Sequence, residues 1–330
     1  MTETAEDKLI ARFFRPLASH PGAFALTDDA AVFAPPEGHE TVLKTDAVVG
    51  GVHVLPDEPA EMIGRKALRM NLSDLAAKGA TPAVFLLSLA LPRDTSEDWL
   101  AAFCRGLKED ADVYRCPLVG GDTDRTDGPL TVTIFAVGTL PRGTMVKRSG
   151  ARAGDHILVT GSIGDAALGL MLRRDPSLAA RWTLSDGERA HLRGRYSLPQ
   201  PRGALADALR AYASASIDVS DGFVGDLTKL LRVSGVSGEV EVTRVPLSSG
   251  AHKALAADSA LRDTIYGGGD DYEIICTVAD DKLDAFSKAA LQAGIAVAAV
   301  GRVREGTDSP HFFDAEGKAL TFAHRSFSHF

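Results

Sequence analysis

The run AEMIGRKALRMNLSDLAAKGATPAVFLLSLAL (Ala60–Leu91) decides the fold class. In its first part Ile63, Ala67, Met70 and Leu75 recur near helical spacing, which predicts a helix over Ala60–Lys78. Its last part, Val84–Leu91, is a short apolar stretch closed by Pro92 and reads as a buried strand. The alternation continues on both sides. Glu40–Val49 reads as a strand, and Thr95–Tyr114 as a helix opened by Thr95 or Ser96 with acids in its first turn. Val119 leads into GGDTDRTDGP, a strand-to-loop transition dense in turn residues. Leu130–Leu140 places Val132, Ile134 and Ala136 on alternate positions, the period of a strand.

A turn-rich stretch, PRGTMVKRSGARAGD (Pro141–Asp155), marks the expected domain boundary. The division is set at residues 1–145 and 146–330. The second half opens with a strand at His156–Thr160 and a helix at Asp165–Arg173. Further helices are expected near Asp186–Arg195, Arg202–Ala213 and Gly222–Val233, and strands near Val240–Val245, Glu273–Val278 and Val297–Val303. Helices and strands mixed in both halves imply an α/β (α+β) protein, and 330 residues suit two domains.

Composition narrows the function. Lys plus Arg number 36 and Asp plus Glu 44, a formal net charge of −8, which argues against a general nucleic-acid binder. The acids divide into 30 Asp and 14 Glu. Asp is short and stiff and suits caps, turns and metal ligation more than solvated helix faces. Cys104, Cys116 and Cys276 lie far apart with no CxxC, which fits a reducing cytosol and no zinc ribbon. The acidic, amphipathic start MTETAEDKLIARFF does not read as a signal peptide. The longest apolar run, Ala83–Leu91, is too short to span a bilayer, so a cytoplasmic protein with no membrane partner is expected.

No P-loop, Rossmann fingerprint, zincin, nucleophile elbow or protein-kinase signature occurs. The turn Gly161–Gly164 could offer amides to a phosphate, although such turns usually only join a strand to a helix. The acids fall in a pattern. Asp28-Asp29, Thr45-Asp46, Asp74, Gly121-Asp122 and Asp218/Asp221 each follow or end an apolar run beside small residues, and Gly269-Asp270-Asp271 precedes a strand. One such Asp is ordinarily a cap or turn residue. Five or six are harder to explain that way. Mg²⁺ takes oxygen ligands and bridges carboxylates to phosphates, so clustered Asp with ions between them can receive a nucleoside triphosphate. Asn71, Asp74 and Lys78 form one helix stripe. Arg148 could fork onto phosphate oxygens, and His53 follows a strand and a Gly pair.

The segments TDDAAV, KTDAVVGGVHV, RKALRMNLSDLAAKGATP, LVGGDTD, KRSGARAGDHILVTGSIGDAALGL, IDVSDGFVGDL and GGGDDYEI occur in this order. Together they closely resemble the thiamine-monophosphate kinase family, part of the aminoimidazole ribonucleotide synthetase-like superfamily, from about Phe24 to Phe330. The resemblance implies a homodimer of two-domain chains whose N-terminal sheets join across the dimer. It implies an N-terminal Mg-ATP-binding and dimerisation domain, with a C-terminal domain completing the nucleotide and substrate site. It implies direct transfer of the γ-phosphoryl of ATP to thiamine monophosphate. By motif match, Asp29, Thr45, Asp46, Asp74, Asp122, Asp218 and Asp221 correspond to ligands of several Mg²⁺. Gly121, Arg148 and Ser220 correspond to ATP contacts, and His53, Asp270 and Phe327 to substrate contacts.

The acceptor is itself an ionised phosphate, so no residue is expected to act as general base. Four positions depart from the family pattern. Thr27 replaces a glycine, Lys44 a small hydroxyl of some members, Asp270 a frequent Glu, and Phe327 a Tyr or Trp. Two rivals are a synthetase on the same architecture and a non-catalytic Mg²⁺-dependent nucleotide binder.

Overall fold

The computed structural model describes residues 4–324, 326 and 327. The chain divides into two compact units. One runs to Leu75 and adds Ala80–Gly143; the other holds Ala76–Gly79 and the chain from Thr144 onward.

The first unit contains α1 (Ala5–Leu9), β1 (His39–Val49), α2 (Ala60–Ala77), β2 (Thr81–Pro92), α3 (Glu97–Val113), β3 (Leu118–Thr126) and β4 (Thr131–Pro141). The sheet order is β1-β4-β2-β3, with β2 and β3 parallel and the other pairs antiparallel. Alternation along the strands gives the sheet one buried face, carrying Val42, Val48, Leu87, Leu89, Val132, Ile134 and Ala136. The other face is only partly open: Leu43 is 61% and Leu86 37% exposed, while Val84 is buried with Ala23 and Val119, with Val137 packed against them.

The expected loop after Val119 is instead strand: β3 runs on through Thr126. Gly121 explains how a Gly- and Asp-rich stretch can do this. A Cβ there would lie 1.9 Å from the Leu87 carbonyl oxygen, so only glycine lets the two backbones approach. Parallel pairing with β2 then overrides the local turn preference.

A buried charge cluster fixes α2 against α3. Asp110 of α3 is fully buried. Arg69 grips it with both arms, Nε to Oδ2 at 2.5 Å and Nη2 to Oδ1 at 2.8 Å, and Arg65 Nε adds a third bond at 3.2 Å. Forked arginine–carboxylate geometry orients as well as binds.

The second unit contains β5 (His156–Thr160), α4 (Asp165–Arg174), α5 (Leu178–Arg181), α6 (Asp186–Ser197), α7 (Ala206–Tyr212), β6 (Ala213–Asp218), α8 (Phe223–Ser234) and β7 (Ser237–Glu241). It continues with α9 (Ser249–Ala257), α10 (Leu261–Gly267), β8 (Ile274–Val278), α11 (Leu283–Gln292), β9 (Val297–Arg304), β10 (His311–Phe313) and β11 (Ala319–Leu320). Its sheet runs β11-β10-β7-β9-β5-β8-β6. Helices cover both faces. Ile157, Val159 and Ile217 join one core with Leu227 and Leu230 of α8. Leu158, Ile274 and Cys276 join another with Leu209 of α7 and Phe286 of α11. Burial on two sides is why β8 is apolar at nearly every position rather than alternating.

Two sequence expectations shift here. The strand expected at Val240–Val245 lies at Ser237–Glu241, followed by a 3₁₀ turn at Val242–Arg244. The strand β6, ASASID, had no assignment because small residues carry little strand signal; pairing with β8 makes it one. All three cysteines are buried free thiols, pushed up to about 12 by burial. Among the described residues no helix is long and apolar enough to cross a membrane.

Asp110→Ala leaves two arginines facing a buried gap. Urea unfolding is expected to show a loss of about 3–5 kcal/mol. Arg105→Ala, which removes only the exposed pair with Glu61, is expected to cost less than about 1 kcal/mol.

Candidate active site

Lys44 and Asp46 are two residues apart on β1 and therefore share a face, the one that meets α2. From α2, Asp74 reaches the same point. Lys44 Nζ lies 3.0 Å from Asp46 Oδ2 and 2.9 Å from Asp74 Oδ2. Burial works against the Lys44 ammonium, but Asp74 and Asp46 outweigh it and raise its pKa. Asp46 is also raised, chiefly by burial, with Lys44 opposing and the neighbouring Asp74 carboxylate adding to the rise. One ammonium thus serves two crowded carboxylates.

The helix stripe expected from Asn71, Asp74 and Lys78 does not act as a unit. The Asn71 side-chain N–H donates to Ala67 O at 3.0 Å, and Lys78 Nζ donates to Ser216 O at 2.5 Å. His53 is half-buried, and its Nδ1 accepts the Val49 N–H at 3.0 Å, which leaves the ring proton on Nε2. Buried Lys66 donates to the His53 carbonyl at 3.1 Å.

The remaining acids of this unit stand apart. Asp29 is exposed, its N–H donating to Asp28 Oδ1 at 2.8 Å. Phe24, Ala25 and Leu26, just before this pair, all adopt left-handed backbone with φ of 49–55°. Thr45 lies on the open sheet face, opposite to Asp46. Asp122 is exposed on that open face too, its Oδ1 accepting the Thr123 N–H at 3.0 Å. Asp46, Ile134, Leu87 and Gly121 form one row across the sheet. Three strand spacings, about 14 Å, therefore separate Asp46 from the Asp122 edge.

In the second unit β6 ends in buried Asp218, and the chain turns through Ser220 and Asp221 into α8. Gly222 takes φ 119° at this turn, where a Cβ would lie 2.5 Å from the Gly267 carbonyl oxygen. Asp226 Oδ2 accepts the N–H groups of Asp221 at 2.9 Å and Gly222 at 3.1 Å. Lys229 Nζ lies 2.5 Å from Asp221 Oδ2 and 2.9 Å from Asp226 Oδ1.

The Gly267–Glu273 segment docks on this turn. The Asp270 N–H donates to Ser220 O at 2.9 Å and the Tyr272 N–H to Val219 O at 2.8 Å. The Phe327 N–H donates to Asp221 O at 2.9 Å, leaving its ring 51% exposed. Ser220, Asp221, Asp270 and Phe327 are therefore neighbours, although Phe327 lies more than a hundred residues from the turn. Arg148 is exposed, and Ser234 Oγ donates to its carbonyl at 3.1 Å.

Two family-model matches span both units: the AIR synthase related protein N-terminal domain over residues 27–140 and its C-terminal domain over residues 152–312. A thiamine-monophosphate kinase of Caulobacter vibrioides is 41% identical over 302 residues, 90% of this chain and 83% of the relative. The chain belongs to this family. The crystal structure of thiamine-monophosphate kinase from Stenotrophomonas maltophilia K279a matches at TM-score 0.82 and 36% identity, over 97% of this chain and 98% of that one. A further structure, AaThiL complexed with AMPPCP and TMP, matches at TM-score 0.77 and 29% identity, over 90% and 89%.

The residues expected to hold magnesium can be tested against this geometry. Among the described residues no three His, Cys, Asp or Glu side chains converge as a metal cage. Asp46 and Asp74 do converge, and a cation already stands between them in the form of the Lys44 ammonium. Mg²⁺ is commonly held by one or two carboxylates, with waters and phosphate oxygens completing the shell. The pair fits that chemistry.

The sequence reading missed the buried ionic centre behind the Asp270 loop. Asp271 is fully buried, with burial pushing its carboxyl well above the usual range. It accepts the Gly164 N–H at 2.7 Å and the Ala166 N–H at 3.2 Å. Of the amides considered for a phosphate, that of Gly164 thus goes to Asp271, while those of Gly161 and Ile163 donate to the Ala296 and Pro246 carbonyls at 3.0 Å. Glu273, also buried, accepts from Thr160 Oγ1 at 2.6 Å, from Arg195 Nη2 at 2.9 Å and from both arms of Arg202. The signal was the acid pair flanking Tyr272, with no sequence mark on the distant arginines.

Beside it, buried Asp165 accepts from Ser162 Oγ and Ser248 Oγ, each at 2.5 Å, and bonds His191 Nε2 at 2.8 Å. Burial raises Asp165, but these partners, His191 foremost, bring it below 3.8; Asp165 in turn raises His191 above 6.5. With His191 raised, the pair stabilises fully below about pH 6.5 and loses that contribution as pH climbs through the raised value. With Asp165 lowered, the acid limit comes below pH 3.8. Thermal melts are expected to lose a small increment above pH 6.5. His191→Gln is expected to remove that slope; an unchanged slope places the titration elsewhere.

Proposed function

We propose that the chain transfers the γ-phosphoryl group of ATP to thiamine monophosphate, giving thiamine diphosphate and ADP, the last step of thiamine diphosphate biosynthesis. The observation that carries this reading is the match to a structure holding AMPPCP, an ATP analogue, together with TMP, over 90% of this chain. Asp46 and Asp74 would hold one of several magnesium ions, and Asp29, Thr45, Asp122, Asp218 and Asp221 would be ligands of the others. Magnesium, when bound, supplies neutralisation of phosphate charge. Gly121, Arg148 and Ser220 face ATP; His53, Asp270 and Phe327 face thiamine monophosphate.

The chemistry asks little of the protein beyond position and charge. An acceptor phosphate oxygen is already ionised near pH 7, so transfer proceeds in line without a general base. The guanidinium of Arg148 can fork onto phosphate oxygens. His53 lies just past β1, with its Nδ1 accepting the Val49 N–H. The half-exposed ring of Phe327 offers an apolar face for a thiamine ring.

The chain works as a homodimer in this reading. The open face of the first unit's sheet carries exposed Leu43 and Leu86 together with Thr45 and Asp122. A second copy seated there covers the apolar residues and borders both polar ones. Three buried reduced cysteines suit a cytoplasmic setting.

The deciding assay incubates purified protein with Mg-ATP and thiamine monophosphate and measures thiamine diphosphate. ATP binding without product would favour a nucleotide-binding protein instead. Asp46→Asn or Asp122→Asn is expected to lower turnover by about a hundredfold or more with an unchanged thermal melt. Near-normal turnover in Asp122→Asn would remove that ligand from the site. Phe327→Ala is expected to raise the KM for thiamine monophosphate several-fold and the KM for ATP little.

A further inference from the structure

Two lysines sit between paired carboxylates, and the two arrangements differ. Lys229 bridges Asp221 and Asp226, but Asp226 is already built into the backbone by two amide bonds, so its position does not depend on the lysine. Lys44 bridges Asp46 and Asp74. Among the described residues these two carboxylates have the Lys44 ammonium and each other as their partners. They are half-buried, at 38% and 14% side-chain exposure, so water screens their mutual repulsion only in part.

We infer that Lys44 is a tethered counter-cation of the Asp46–Asp74 pair, which a divalent ion must displace in order to bind both carboxylates. This rests on the proposed role of Asp46 and Asp74 as magnesium ligands.

Shared space and charge set the two cations in competition. The ammonium stands 2.9–3.0 Å from one oxygen of each carboxylate, the place from which a single cation neutralises both. A divalent ion held by the same oxygens would need the same gap, which it could not share with a second positive charge. Because the competitor is part of the chain, its effective concentration is high and independent of the buffer.

Two consequences follow. Without nucleotide, divalent ions bind this pair weakly, and phosphate oxygens arriving with the ion supply the extra ligands that tip the exchange. The exchange also reverses the local field. Two carboxylates and an ammonium carry a net single negative charge; with a divalent ion bound and the ammonium swung aside, the same groups carry a net single positive charge, which favours an anionic substrate. Lys44 is a positioning residue here: it holds the carboxylates together before the metal comes, and it sets how readily the metal binds.

The test titrates Mn²⁺ into the full-length protein without nucleotide, reading free Mn²⁺ by electron paramagnetic resonance, for the wild type, Lys44→Met, Lys44→Arg, Asp46→Asn and Asp74→Asn. Lys44→Met keeps the side-chain volume and removes the charge. It is expected to bind Mn²⁺ about tenfold more tightly. Lys44→Arg is expected to stay close to wild type.

A second readout is thermal. In chelator the Lys44→Met protein is expected to melt below the wild type, and saturating Mn²⁺ is expected to raise its melting temperature by more than it raises the wild type's. If Lys44→Met fails to fold, Lys44→Gln makes the same comparison. Unchanged or weaker Mn²⁺ binding in the neutral variant, with binding lost in Asp74→Asn, overturns the role of Lys44 and leaves the magnesium assignment standing. Unchanged binding in both Asp→Asn variants overturns the magnesium assignment itself.

Discussion

Buried carboxylates tied to fixed partners hold the elements that present the exposed ones. A charge removed from water must be matched by hydrogen bonds or an opposite charge, or the fold pays several kcal/mol for it. Asp110 is matched by Arg65 and Arg69, and that match sets the seat of α2, the helix that carries Asp74. Asp271 is matched by the Gly164 and Ala166 amides, and Glu273 by Thr160, Arg195 and Arg202. Those matches seat the segment that carries Asp270 beside Ser220. One group of acids is therefore locked inside, and another, Asp46, Asp74 and Asp221, is half-exposed and paired with lysine.

The half-exposed acids are held by a flexible cation of the chain itself. At Asp46 and Asp74, and again at Asp221, a lysine supplies the positive charge. A carboxylate pair next to a low-dielectric core is costly unless something sits between its members. A lysine can hold that place and still leave it, because its stem has several rotatable bonds and its charge is a single compact point. An arginine fork, as on Asp110, is better suited to staying.

Some features were legible early because they are local. The helix over Ala60–Ala77 and the strand His156–Thr160 follow from spacing that a short window contains. The motif segments marked Asp46, Asp74, Ser220, Asp221 and Asp270 without any fold. Other features were not local. Gly121 and Asp122 read as loop because their types favour turns, and only the parallel neighbour β2 makes them strand. The amides of Gly161–Gly164 read as a possible anion site, and only the fold shows them spent on the Asp271 carboxyl and on backbone carbonyls. Thr45 and Asp46, adjacent in sequence, fall on opposite sheet faces because the pleat separates neighbours.

The sequence by itself determined the α/β class, the family, and the order of its acidic motif segments. Those depend on composition, periodicity and short motifs, each readable within a few turns of chain. Tertiary structure alone decided which of these residues meet. It put Lys44 between Asp46 and Asp74, tied Phe327 to Asp221, and set Asp122 about three strands away from Asp46. The reason is that ion pairing and backbone pairing act over a few ångströms in space, while the residues involved lie tens to more than a hundred positions apart along the chain.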